Sequence, residues 1–358
     1  IVFGPQTFHR LPEMVARAGR VGKKGPVGCK ILDTDFPVEP KFDHLPEVRK
    51  GAKGPDGRAN GSLAFLTIQE GCDKFCTFCV VPYTRGSEFS RPVNDVLVEA
   101  SGLASLGVRE ITLLGQNVNN YNGSAPGSKN SKTLWGLGRL ITDIANIGGI
   151  ERIRYTTSYP ADVNEELIEA HRDVSALMPH LHLPVQSGSN SILKAMNRRH
   201  GADDYLRLVD RLREVRPDLG LSSDFIVGFP GETDADFTAT LKIVKKIGFV
   251  QAYSFKYSPR PGTPAALLKD QVPESLKAER LGILQELLKA QQLSFNRSCV
   301  GRTMKVLLDR PGRVSGQLVG RSPYMQAVHV DGTGLKIGTI VELKVTAGHA
   351  YSLAGVVV

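Results

Sequence analysis

Three cysteines crowd into eight residues of the run GCDKFCTFC: Cys72, Cys76 and Cys79. Spaced C-x-x-x-C-x-x-C on one loop, three thiolates can converge on one small inorganic cluster. Downstream, no further cysteine occurs before Cys299 and no histidine before His171. A structural zinc site closes with four ligands, usually in paired C-x-x-C or histidine spacing, and this loop offers no local fourth. An electron-transfer cluster of the ferredoxin kind also takes four cysteines. Buried inert cysteines seldom come as a triplet in a lysine-containing loop. Three ligands to a cubane leave one iron open, and an open iron can bind a reactant rather than only pass electrons. The five cysteines are an odd number in a long chain, which fits ligation in a reducing compartment better than a disulfide framework. A cytoplasmic location is the corresponding expectation.

The elements that position this loop are legible as alternation. From Ser62 onward, short β-rich apolar runs interleave with helical patterns: LAFLTIQ from Leu63, EITLLG from Glu110, RIRYTTS from Arg152, HLHLPV from His180, LSSDFIVG from Leu221 and QAYSFKY from Gln251. The intervening stretches have helix starts at Asn94, Asn190 and Thr233. Six β–α units in series imply a parallel sheet covered by helices. Eight would close a barrel and six leave it open, so the predicted class is α/β, an open six-unit (β/α) partial barrel. The cysteines follow its first strand, at the end where parallel α/β sheets gather their ligands.

A helix from about Pro273 leads out of this unit. Beyond it the period becomes two, in TMKVLLD, GQLVGRS, MQAVHVD, GTIVELKVTA and SLAGVVV, the pattern of a small all-β barrel. The chain carries 45 Lys and Arg against 36 Asp and Glu, a formal +9. From Phe295 to Val358 there are eight basic residues against three acidic, so five of the nine net charges sit in the last 64 residues. That concentration points to a polyanion such as RNA as partner. No apolar run approaches the roughly 18 residues of a membrane helix. Between Lys23 and Asn60 a stretch rich in Gly, Pro, Lys and Asp reads as a linker. The opening, from Ile1 to about Arg20, reads as the end of a strand followed by a short helix, as in a chain whose beginning lies upstream.

The cysteine loop, its place in the series and Phe78 just before Cys79 resemble the radical S-adenosylmethionine superfamily. More narrowly, CDKFCTFCVVPYTRG, LLGQNVN, LHLPVQSGS, DFIVGFPGET and YSPRPGTPA are similar to the tRNA methylthiotransferases that act on isopentenyladenosine beside the anticodon. The resemblance implies a 4Fe-4S cluster on Cys72, Cys76 and Cys79, with S-adenosylmethionine on its open iron, tRNA as substrate and a reductant such as flavodoxin or ferredoxin. It also divides the chain into an N-terminal remnant (1–24), a linker (25–61), a radical SAM domain (62–294) and an RNA-binding TRAM domain (295–358), OB-like in character. Gly115, Gln116 and Asn117, ending the second strand, would receive the methionine amino group, or form an ordinary polar turn. Gln186 and Ser187 end the fourth strand and would hold ribose or carboxylate, with a helix cap as the plain alternative. Ile226 and Gly228 would line the adenine site, or Ile226 simply the strand core. Phe78 would stack near the adenine or pack. Arg85, Arg198, Arg199 and Arg260 are candidate contacts to phosphate or carboxylate.

The family's second cluster is bound by three cysteines of an N-terminal domain. Cys29 and Cys299 match none of them, so one cluster is expected here and two in a full-length parent, and residues 1–358 alone are expected to cleave S-adenosylmethionine without inserting sulfur into tRNA. A sister enzyme acting on threonylcarbamoyladenosine in tRNA or on a ribosomal protein, a radical methylase, and a non-catalytic RNA-binding fragment are the competing expectations.

Overall fold

The computed structural model describes residues 1–21, 31–35, 61–127 and 133–358. The six apolar runs form six parallel strands: β1 (Leu63–Thr67), β2 (Glu110–Leu114), β3 (Arg152–Tyr155), β4 (His180–His182), β5 (Gly220–Val227) and β6 (Gln251–Lys256). β1, β2 and β3 make one ladder and β4, β5 and β6 a second. One parallel bridge, Ile153 to Leu177, joins the two. Among the described residues β6 does not pair with β1, so the barrel is open on that side, as expected. β4 is shorter than its apolar run because Pro184 has no N–H to add to the ladder.

Alternation sorts the side chains. Ile111, Leu113, Ile153, Leu181, Leu221, Phe225 and Val227 point outward into one core with the covering helices Val93–Ser105, Leu137–Ala145, Ala202–Val215 and Asp234–Ile247. Thr112, Arg154, His180, His182, Ser222 and Tyr253 face the concave lumen, where they line a common cavity.

Two helix starts fall where expected. Thr233 caps its helix by accepting from Asp236 N at 3.3 Å, while Asp236 returns a bond to Thr233 N, and the long helix Glu274–Ser298 begins after Pro273. The first begins one residue earlier than expected, at Val93, because the fixed φ of Pro92 suits the helix entry. The second begins at Asn190 itself, with Ser189 one residue earlier as its cap.

The last five runs form a closed barrel of β7 (Thr303–Pro311), β8 (Gln317–Arg321), β9 (Ala327–Asp331), β10 (Ile340–Gly348) and β11 (Ser352–Val357), in the order β7-β8-β9-β11-β10. Val306, Leu308, Val328, Leu343, Val345 and Leu353 fill it, and Cys299 is fully buried against them. Leu353→Ala should cost about 2–5 kcal/mol through lost contacts and a residual cavity, read as a lower urea midpoint for this barrel.

The barrel docks on the sheet through buried charges. Glu110, 2% exposed, lies 3.0 Å from Arg154 and 3.4 Å from Arg152. Arg152 donates to the carbonyls of Lys305 (2.6 Å) and Arg321 (2.9 Å), and Arg154 to those of Ser322 and Pro323 (2.8 Å each). Most of the expected linker lies outside the described residues, as does Cys29. Within it Leu32–Asp33 pairs in parallel with Val2–Phe3, a contact that composition does not announce.

Candidate metal centre

The cysteine loop leaves β1 through a two-residue ribbon, Gln69–Glu70, paired with Phe89–Ser90. Gly71 turns the chain at φ +77°, and a Cβ there would stand 1.9 Å from the Ser87 carbonyl oxygen, so only glycine fits. Cys79 N bonds Cys76 O at 2.9 Å, which folds the second half of the motif into a turn. Asn197 donates from Nδ2 to the carbonyls of Phe75 (2.9 Å) and Lys74 (3.2 Å), and Thr77 bonds Met196 O and Ala195 O. Asn197→Ala should cost about 1–3 kcal/mol, since it strips two carbonyls of their donor, and should lower iron retention in a reconstitution titration.

All three thiols are half-buried and free. Burial, first, pushes the Cys72 thiol up to about 11; the Glu88 carboxylate and the other two thiols add to this, against a hydrogen bond from the Lys74 backbone. Cys79 is raised by burial foremost and by Cys76, and held down by the Val81 N–H and the Arg198 guanidinium. The three sulfurs thus share one electrostatic neighbourhood. Arg198 Nη1 lies 3.6 Å from Cys76 Sγ and stacks at 4.3 Å over the Tyr159 ring, a cation placed to offset thiolate charge. Among the described residues no three Cys, His, Asp or Glu side chains converge tightly enough for a single metal ion. Three thiols without a fourth ligand do not make a closed zinc site; ligands that bind separate irons of one cluster stand farther apart, and the donor set fits that group.

The expected rim residues sort into three groups. Gly115, Gln116 and Asn117 lie against the loop and brace it: Gln116 Oε1 accepts from Gly71 N at 2.8 Å, Asn117 N donates to Gln69 Oε1 at 3.0 Å, and a Cβ on Gly115 would meet that same oxygen at 2.6 Å. Asn117 Nδ2 bonds Glu88 (2.9 Å) and Asp162 (2.8 Å), while its buried Oδ1 has no hydrogen-bond partner in the described residues. Phe78 and Ile226 pack against one small apolar cluster of Ile192, Met196, Phe229, Tyr257 and Ala265, on the same side as Cys79. Gln186 sits at φ +76°, its backbone held between Asp224 O and Ile226 N at 3.0 Å each.

Two of the expected residues also meet the surrounding helices. Ser187 is fully buried, its hydroxyl 3.2 Å from Thr240 Oγ1 on the covering helix and bonded by Ser189 N, so it faces away from the rim; the cap of the next helix is Ser189. Gly228 stands at φ +67° where a Cβ would meet Lys277 Cγ at 2.3 Å, so its backbone is closely approached by the long helix. Arg85 pairs with Glu70 at 2.9 Å, and the Arg199 backbone N–H bonds Tyr159 OH at 2.7 Å. Sequence reasoning missed Gln69, Glu88, Tyr159 and Asn197. Only Asn197 left a trace, since asparagine tolerates its φ of +57° better than most residues.

The family model of the radical SAM superfamily matches residues 66–244, half of the chain. A curated protein of Maricaulis maris (strain MCS10), tRNA-2-methylthio-N(6)-dimethylallyladenosine synthase, is 55% identical over 355 residues, spanning 99% of this chain and 75% of that one. This chain belongs to the radical SAM tRNA methylthiotransferases. The TRAM model matches residues 297–358 of the methylthiotransferase, the closed barrel. Its likeness to solved structures is fainter. The radical SAM methyltransferase TsrM of Kitasatospora setae gives 17% identity and a TM-score of 0.48 over 64% of this chain and 45% of that one. Methylornithine synthase gives 14% and 0.41 over 64% and 63%. As in the family, an iron–sulfur cluster and S-adenosylmethionine are its cofactors and tRNA its substrate. No described helix is long and apolar enough to cross a membrane.

Proposed function

We propose that this methylthiotransferase adds a methylthio group to carbon 2 of N6-isopentenyladenosine next to the tRNA anticodon. Cys72, Cys76 and Cys79 would hold a 4Fe-4S cluster. The observation that carries this is three half-buried thiols on one loop, at the carboxyl end of an open barrel, with no fourth cysteine beside them among the described residues. The cluster, when bound, supplies an electron that splits the sulfonium of S-adenosylmethionine and so begins the radical chemistry. The protein's own part is positioning. Gly115, Gln116 and Asn117 set the floor beneath the loop, and the Asn117 Oδ1 left without a partner suits the methionine amino group. Ile226 and Phe78 offer apolar contact for the adenine, and Gln186 fixes the strand end beside them.

The domain limits at residues 24, 61 and 294 belong to this reading, as do a flavodoxin or ferredoxin reductant, a second cluster in a full-length parent and a cytoplasmic setting. Mass spectrometry of tRNA from a strain lacking the gene tests it. Loss of 2-methylthio-isopentenyladenosine with its unmethylthiolated precursor accumulating is expected. Loss of the threonylcarbamoyladenosine derivative instead would move the assignment to the sister enzyme.

A further inference from the structure

The lumen of the open barrel carries polar and aromatic side chains that the metal centre does not use. On β5, Ser222, Asp224 and Ile226 alternate inward, and His182 on β4 reaches two of them: Nδ1 lies 2.9 Å from Ser222 Oγ and Nε2 3.5 Å from Asp224 Oδ2. Tyr253 and Phe255 on β6 are paired with Asp224 and Ile226, and are 49% and 54% exposed. Two large aromatics this open, on a free strand edge inside a concave site, are flat apolar faces without a cover. The lumen encloses about 140 Å³ beside Tyr253 and His182. Tyr253 also lines a groove of about 380 Å³ along β6, past Lys289 of the long helix and Tyr351 of the TRAM barrel. Tyr253 therefore stands where the lateral opening meets a groove that carries aromatic and basic groups, the pairing that tracks single-stranded RNA.

We propose that Tyr253, Asp224 and His182 form the pocket that reads the target base. Tyr253 stacks on it, and the Asp224 carboxylate, steadied by His182, accepts the one N6–H that an N6-monoalkylated adenine keeps. The β6 groove takes the flanking strand. An extruded base is recognised by its hydrogen-bonding edge and by aromatic stacking, and a carboxylate facing an edge without that N–H is left unpaired, which is the source of discrimination. Ile226, one inward step beyond Asp224, packs on the same apolar cluster as Phe78 of the cysteine loop, which sets the pocket next to the elements that carry the metal centre. The assignment rests on the function proposed above and adds the residues that choose the substrate.

The test is the affinity of the reconstituted full chain for two anticodon stem-loops. One carries N6-isopentenyladenosine and the other N6,N6-dimethyladenosine, which has no N6–H. The parent should prefer the first by at least about tenfold, a typical return for one satisfied hydrogen bond. Asp224→Ala should erase the preference, and the isosteric Asp224→Asn, which keeps a carbonyl acceptor, should retain part of it. Tyr253→Leu should weaken both RNAs by about ten- to a hundredfold, the scale of one lost base stack, with Tyr253→Phe restoring it. An intact preference in Asp224→Ala, or parental affinity in Tyr253→Leu, overturns the base pocket. A parent without the preference overturns the base pocket, whereas a strain lacking the gene whose tRNA keeps its 2-methylthio-isopentenyladenosine overturns the proposed function whatever the affinities.

Discussion

Gly71→Ala should empty the metal centre. The new Cβ would lie 1.9 Å from the Ser87 carbonyl oxygen and 2.5 Å from its carbon, both backbone atoms that no rotamer change can move. The left-handed φ of +77° adds about 1–2 kcal/mol for any residue with a Cβ. The collision pries apart the two ends of the loop, at the point where Gln116 Oε1 accepts from Gly71 N and Cys72 N bonds Gly86 O at 3.2 Å. Iron bound after anaerobic reconstitution should fall at least about tenfold. Far-UV circular dichroism should stay close to the parent's, because no core strand is touched. Gly107→Ala is the control: it bears the same kind of φ, +91°, but nothing lies within 4 Å of its Cβ, so it should lose about 1 kcal/mol and keep its iron. Parental iron content in Gly71→Ala would contradict the loop geometry.

Arg154→Ala should unlatch the TRAM barrel from the catalytic sheet. Arg154 is 4% exposed, donates to Ser322 O and Pro323 O, and pairs with the buried Glu110. Removing it takes the donor from the Pro323 carbonyl, leaves Ser322 O with the Met325 N–H at 3.2 Å, and leaves Glu110 with Arg152 alone, at 3.4 Å. Breaking a buried ion pair from one side costs about 3–5 kcal/mol. Arg154→Lys should recover only part of this, since a single ammonium on a flexible stem does not reproduce the planar fork that serves two carbonyls and a carboxylate together. A urea titration followed by near-ultraviolet circular dichroism gives the loss, and limited proteolysis should release a fragment near residue 300 sooner than in the parent. A midpoint within error of the parent's would show that the barrel is held by other contacts.

The strands were legible because burial on one face writes a period of two and covering helices write one of 3.6. HLHLPV gave away β4 in this way, and the cysteine triplet pointed to an open-iron cluster by its spacing, its lack of a local fourth ligand and its place after the first strand. The contacts of Ser187 and Gly228 were illegible for one shared reason. Each ends a strand as a ligand-binding residue would, yet what each touches, Thr240 and Lys277, comes from a helix dozens of residues downstream. Glu110, Arg152 and Arg154 read as ordinary strand residues, since the carbonyls they serve belong to a barrel more than 150 residues further on. QAYSFKY sets Tyr253 and Phe255 on one apolar face, but alternation does not say whether a helix or open solvent covers that face, and both rings prove about half exposed.

The central claim is that Cys72, Cys76 and Cys79 hold an open-iron cluster that cleaves S-adenosylmethionine. It is tested most directly by 5′-deoxyadenosine release from the reduced, reconstituted chain beside a variant with all three changed to alanine. Release by the parent that vanishes in the variant is the predicted result. No release from a parent shown by spectroscopy to contain a reduced four-iron cluster, or equal release from the variant, would contradict it.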